Sequence, residues 1–197
     1  FRNYFAGFIP SLIRKNIKTV NVILPNYNDF KSAFENEEYF LQTFIEGIML
    51  GNYTFDNYKS EKEKTAKLNI VFHYTNKNLL NRIIVNTQKI IESVYFTRDL
   101  VNEPAITLTP MELGKRARLE LNRYGVNVRV FDKKELERKK MNAILAVGNA
   151  SSKPPCMIVA HYKPLIKPKK KIALVGKGVT YDSGGLSIKP TAGMLEM

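Results

Sequence analysis

Short apolar runs alternate with helix-length amphipathic segments along this chain, and that alternation restricts it to α/β architecture more than any other feature. Ile17 to Leu24 (IKTVNVIL) is β-branched and closed by Pro25, which predicts a strand. Phe40, Phe44, Ile45, Ile48 and Met49 recur at helical spacing, and Gly51 stands where a C-cap belongs, predicting a helix from Glu38 to Leu50. Leu68, Ile70, Phe72 and Tyr74 alternate as a half-buried strand, and the charged half of YTFDNYKSEKEK before it reads as a solvated loop. From Leu79 to Leu100 the positions Leu80, Ile83, Ile84, Thr87, Ile90, Ile91 and Val94 trace one face of a long helix.

The second half is more sharply punctuated. Thr109-Pro110-Met111-Glu112 is a capping box with proline at the first helical position, so a helix should run to Tyr124 and stop at Gly125. Val126, Val128 and Val130 alternate as a strand, and Asp132 with Glu135 opens a short basic helix to Met141. Cys156 to Tyr162 (CMIVAHY) and Lys171 to Val175 (KIALV) are apolar enough to be buried parallel strands. A parallel strand needs a crossover element to cover it, and none follows Val175. The chain therefore reads as a piece of a larger protein.

With 197 residues there is room for one ordinary domain or parts of two. A hydrophobic share of 44% against 25% charged excludes disordered and fibrous classes. The lone Cys156 cannot close an internal disulfide, which excludes a stapled secreted scaffold and suits a reducing compartment. No apolar run approaches the roughly 20 residues of a membrane span, and no signal-peptide pattern opens the sequence. The net charge is +13, drawn mostly from lysine. Lys133, Lys134, Arg138, Lys139 and Lys140 form one basic cluster, and Lys163, Lys167, Lys169, Lys170 and Lys171 another. Aromatic residues are not interleaved with them and no nucleic-acid motif occurs, so they read as solvated faces. The alternative is a non-catalytic basic α/β module that binds nucleic acid or another anionic partner.

The densest chemical signal is Val175-Gly176-Lys177-Gly178-Val179-Thr180-Tyr181-Asp182-Ser183-Gly184-Gly185-Leu186-Ser187-Ile188-Lys189-Pro190. In open α/β sheets ligands bind outside the carboxyl ends of strands, and this loop would leave such a strand. Its glycines let a backbone approach a ligand closely, although a tight turn with solvated lysines explains the same composition. A phosphate cradle from the Gly176 and Gly178 amides with Lys177 is one reading, but the P-loop pattern is absent. The other is a metal site, with Asp182 as a hard oxygen ligand, Lys177 as a neutral amine, and Lys189 left charged to polarise a substrate oxygen. Spacing does not choose between them.

This stretch resembles the signature of the leucyl (cytosol) aminopeptidase family of dinuclear metallopeptidases. Glu46 to Ser60 (EGIMLGNYTFDNYKS), Thr97 to Pro110 (TRDLVNEPAITLTP) and Met141 to Pro155 (MNAILAVGNASSKPP) resemble the same family, in the family's order. The resemblance implies that Lys177 ligates one metal, Asp182 bridges two, and Lys189 is the catalytic lysine that polarises the scissile carbonyl. It implies two divalent ions, manganese or zinc, in the complete protein, and release of N-terminal residues from peptides with a free N-terminus. Tyr181 stands where the family commonly has phenylalanine. The family's further aspartate, its Asp/Glu cluster and its catalytic arginine have no match before Met197, so this chain by itself is expected to be inactive. The resemblance also implies a cytoplasmic homo-oligomer, a hexamer in the family, with no membrane association. Residues 1–86 would then be the C-terminal part of an N-terminal α/β domain. Residues 87–197 would be the first part of an α/β catalytic domain with a mixed, largely parallel sheet.

Other candidates are weaker. His73 and His161 sit in strand-like runs without partners at metal-ligand spacing and read as sheet or core residues. Cys156 reads as a small buried hydrophobe, and Asn102-Glu103-Pro104 as a helix exit before proline.

Overall fold

The computed structural model describes residues 2–60, 68–166 and 168–195, so the charged segment 61–67 and Lys167 lie outside the described residues. The chain divides into two compact units, Phe1–Asn102 and Glu103–Met197. The seam placed near Asn86 by sequence falls inside a continuous helix of the first unit.

In the first unit α1 (Arg2–Arg14) precedes β1 (Thr19–Ile23), a single 3-10 turn (Tyr27–Phe30), α2 (Glu37–Gly51), β2 (Asn69–His73) and α3 (Lys77–Asn102). The two strands pair in parallel, with Val20 opposite Ile70 and Val22 opposite Phe72, and α2 supplies the crossover that a parallel pair requires. Asn36 starts α2 by accepting the Tyr39 amide at 2.8 Å. Its apolar stripe of Phe40, Leu41, Phe44 and Ile45 is fully buried with Leu24, Phe34, Leu80 and Ile83. The Phe40 and Phe44 rings lie 4.9 Å apart. The α2, α3 and both strand segments therefore form where periodicity places them, within two residues at each end.

Helix α1 has no counterpart in the sequence reading, because Gly7 and Pro10 interrupt its apolar run and both weaken a helix interior. Packing overrides them. Gly47 and Gly51, one turn apart on α2, let the α1 backbone approach: a Cβ at Gly47 would lie 2.8 Å from the Arg2 oxygen, and one at Gly51 only 2.9 Å from Ala6 Cα. Gly51 is thus the last helical residue rather than a left-handed cap, and Asn52 follows as the C-cap at φ −86°. Its glycine is a matter of space. The Asn52 side chain then ties the connection down, donating to the Leu68 carbonyl at 2.9 Å and accepting the Leu68 amide at 3.2 Å.

The second unit contains α4 (Pro110–Asn122), β3 (Asn127–Phe131), α5 (Lys133–Arg138), α6 (Asn142–Gly148), β4 (Met157–His161) and α7 (Thr191–Leu195). Both expected N-caps form: Thr109 accepts the Glu112 amide at 3.3 Å and Asp132 the Glu135 amide at 2.9 Å, while the Glu112 and Glu135 side chains turn to Arg116 and Arg129. Gly125 ends the α4 segment at φ +72°, the left-handed conformation that favours glycine. Phe131, Leu136 and Leu145 are the buried centre of this unit.

Two expectations about its strands are overturned. Cys156 to Tyr162 was expected to be a buried parallel strand; β4 instead runs antiparallel to β3, with Asn127 opposite His161 and Phe131 opposite Met157, and its last three residues are exposed. Lys171 to Val175 is not a strand, and Ile172, Leu174 and Val175 are 86%, 96% and 97% exposed. Apolar β-branched composition records a preference, but a strand exists only when a neighbouring edge receives its hydrogen bonds. The architecture remains α/β, with one parallel pair in the first unit and one antiparallel pair in the second. Among the described residues no helix is long and apolar enough to cross a membrane.

Candidate functional site

The glycine-bearing loop closes on itself between Asp182 and Lys189. Asp182 Oδ1 accepts the Gly184 amide at 2.9 Å, so the aspartate folds the chain back two residues on. Gly184 and Gly185 follow at φ +89° and +66°. The Lys189 amide then donates to the Ser183 carbonyl at 2.8 Å, which returns residue 189 to the start of the turn. As a result Lys189 Nζ lies 3.4 Å from Asp182 Oδ2, with side-chain exposures of 29% and 46%. Two of the three residues singled out by sequence therefore meet, brought together by one main-chain bond and one bond from an amide to the Asp182 side chain. Immediately before Asp182, Tyr181 Oη lies 3.5 Å from Met194 Sδ on α7.

Lys177 stands apart. It is exposed, makes no direct ion pair with Asp182, and acts on the aspartate through its charge. The Gly184 amide, and next the Lys189 charge, hold the Asp182 carboxyl below the usual carboxylate range, and Lys177 works in the same direction. At the other end of the loop, Gly178 lies against Leu113 of α4, where a Cβ would be 3.6 Å from Leu113 Cδ2.

This constellation sets one carboxylate beside one ammonium, with Lys177 acting only at longer range, and it is short of metal donors. Asp182 is its one carboxylate, with one oxygen engaged by an amide and the other facing an ammonium. Among the described residues no three His, Cys, Asp or Glu side chains converge as a metal-binding group. The described residues do not fit a complete dinuclear centre, which needs several carboxylates to offset two dications.

The lesser candidates resolve as structural. His73 Nε2 lies 2.9 Å from Asn21 Oδ1 across the β1–β2 pair, and His161 is exposed at the end of β4. Cys156 Sγ donates to the Pro110 carbonyl at 3.1 Å, and burial pushes its thiol pKa up, away from reactivity. Glu103 does more than end a helix. With its side chain 6% exposed, it pairs with Arg116 at 3.0 Å, while Arg116 also reaches Glu112 at 3.2 Å. Only the second of these, one helical turn apart, is visible in sequence; the first joins residues thirteen apart. The basic cluster around α5 is partly neutralised from within: Arg129 and Arg138 both reach Glu135, and Arg129 and Lys139 lie over the Phe131 ring.

Comparison with known proteins bears on the same loop. The family model described as the cytosol aminopeptidase family, catalytic domain, matches residues 95–197, and that of the family's N-terminal domain matches residues 1–62. The chain belongs to the cytosol aminopeptidase family. A "Probable cytosol aminopeptidase" of Persephonella marina is 44% identical over 158 residues, which cover 79% of this chain and 32% of that protein. Another, from Protochlamydia amoebophila, is 35% identical over 201 residues, covering 100% of this chain and 39% of its own length. The crystal structure of the cytosol aminopeptidase from Coxiella burnetii superposes with a TM-score of 0.74 at 31% identity, covering all of this chain and 39% of that one. The bottromycin maturation enzyme BotP in complex with Mn gives 0.75 at 28% identity, over 98% and 39%. The chain thus spans about two fifths or less of the length of the curated relatives it matches. Within it, the Asp182–Lys189 turn lies in the part that matches the catalytic-domain model.

Proposed function

We propose that this chain is part of a metal-dependent leucyl aminopeptidase, a hydrolase that releases N-terminal residues from peptides with a free N-terminus. The observation that carries the reading is the Asp182–Lys189 pair, 3.4 Å apart in a self-closed glycine loop within a segment matching the family's catalytic domain. Asp182 and Lys177 are the assigned metal ligands and Lys189 the assigned catalytic residue. A lysine ammonium fixed beside a carboxylate is placed to stabilise negative charge as it develops on a scissile carbonyl oxygen. Two divalent ions, manganese or zinc, are the cofactors this reading requires, and the manganese complex of BotP supports a divalent metal. The remaining carboxylate donors come from outside the described residues, because Asp182 is the one acid in the loop.

On the same reading, residues 1–86 belong to the N-terminal domain and 87–197 to the catalytic domain. The protein works as a homo-oligomer in the cytoplasm. The 197-residue chain binds metal weakly and is inactive by itself, since Lys177 and Lys189 flank a single carboxylate and repel a dication.

The test is hydrolysis of leucine p-nitroanilide with added manganese or zinc. The full-length protein should turn over, and Asp182→Ala or Lys189→Ala should remove most of that activity. The 197-residue chain should show none. A full-length protein inert toward leucine anilides and N-terminal leucine peptides would overturn the assignment. Manganese-dependent turnover by the 197-residue chain, lost in Asp182→Ala, would overturn its inactivity.

A further inference from the structure

We propose that Gly184 is the positioning residue of this site: it sets the Asp182–Lys189 pair by donating its amide to the aspartate while leaving the space through which Lys189 returns. The proposal rests on reading Asp182 and Lys189 as the site. Three observations converge on this glycine. Its amide hydrogen bonds to Asp182 Oδ1 at 2.9 Å, which turns the other oxygen toward Lys189. Its φ of +89° is open to glycine and strained for other residues. Its missing side chain is occupied volume: a Cβ there would collide with the Ser187 carbonyl and come within 3.1 Å of the Lys189 amide and 3.2 Å of Lys189 Cγ.

A side chain at 184 would therefore strike both ends of the loop. Displacing Ser187 and the Lys189 amide breaks the bond from Lys189 N to the Ser183 carbonyl, and that bond holds residue 189 beside residue 182. Gly185 provides the internal control. It has the same left-handed backbone, φ +66°, but a Cβ there meets nothing within 4 Å. Alanine at either position carries the backbone penalty of a left-handed residue. At 184 it also has a steric conflict with the main chain and with Lys189. The difference between the two substitutions thus isolates the crowding.

The experiment compares Gly184→Ala with Gly185→Ala in the full-length protein, reading amide exchange residue by residue. The Lys189 amide should lose about fivefold to tenfold in protection in Gly184→Ala, the size of one net hydrogen bond, and keep most of it in Gly185→Ala. The amides of β3 and α4 should be unchanged in both. Equal protection of the Lys189 amide in Gly184→Ala and the parent chain would overturn the proposal. So would an equal loss in Gly185→Ala, which would make the effect one of backbone strain. Loss spreading into β3 and α4 would make Gly184 a folding residue and overturn it too. The same pair gives the second readout: kcat for leucine p-nitroanilide should fall at least tenfold more in Gly184→Ala than in Gly185→Ala, by the loss expected when a charge-stabilising group is misplaced. Failure of the peptidase reading would appear differently, as no turnover by the unsubstituted protein while the exchange difference persists.

Discussion

Replacing Gly51 by alanine should destabilise the first unit, although alanine is the better helix former. Gly51 closes α2 against α1, and a Cβ built on it lies 2.9 Å from Ala6 Cα and 3.0 Å from Ala6 C, with the Ala6 oxygen closer still. Carbon atoms pack best at about 3.5–4.0 Å, so α1 would have to retreat by roughly 0.5–1 Å along its contact. The obstacle is backbone, which cannot rotate aside. Overpacking of this kind costs about 1–3 kcal/mol. Against it stands a propensity gain below about 1 kcal/mol, because the position is the last of the helix. The net expectation is a loss of about 1–2 kcal/mol. Gly7 supplies the counter-example: it lies inside α1, is exposed, and a Cβ there meets nothing within 4 Å. Gly7→Ala should therefore gain about 0.5–1 kcal/mol. Identical chemistry should thus give opposite signs at two sites in the same helix pair. With no tryptophan in the chain, urea unfolding followed by far-UV circular dichroism is the assay. If Gly51→Ala proves as stable as Gly7→Ala, the close approach of α1 and α2 is not there and the reasoning fails.

Thr87 of α3 is 1% exposed and its Oγ1 has no hydrogen-bond partner among the described residues. Thr87→Val should gain about 1 kcal/mol by removing a buried hydroxyl without changing shape, and a loss in urea melts would reveal a partner. Arg116→Met removes the guanidinium that the buried Glu103 faces and should cost about 2 kcal/mol, below the 3–5 kcal/mol of a fully buried pair because Arg116 is 27% exposed. Equal urea midpoints for the parent and this variant would show that the pair is structurally idle. The Tyr74 hydroxyl is pushed up from 10.0 to about 12, first by burial and then by its 2.6 Å bond to Glu37. Its folded pKa is raised, so its contribution is complete below pH 10 and is lost as pH climbs toward about 12. Tyr74→Phe should flatten the fall in stability across that window, and parallel pH profiles of urea midpoints for the two proteins would refute it.

Much of this protein is written in its local sequence. The stripe of α2, the alternation of β2 and the Thr109 and Asp132 N-caps depend on neighbours within a few residues, where period and side-chain chemistry act directly. The loop from Asp182 to Lys189 is local in geometry too, closing by bonds that span two and six residues, although its spacing alone does not choose between a phosphate cradle and a metal site. Other features depend on partners far along the chain. Whether CMIVAHY pairs parallel or antiparallel is decided by the edge that β3 presents, and KIALV, which pairs with no described edge, forms no strand and leaves Ile172, Leu174 and Val175 exposed. Gly51 looks like a cap until α1 is seen against it, and Glu103 looks like a helix exit until Arg116 is found facing it. Hydrophobic pattern says which face a segment must bury; the tertiary structure decides what buries it, because strand pairing, close helix approach and buried ion pairs are contacts between residues that sequence spacing does not relate.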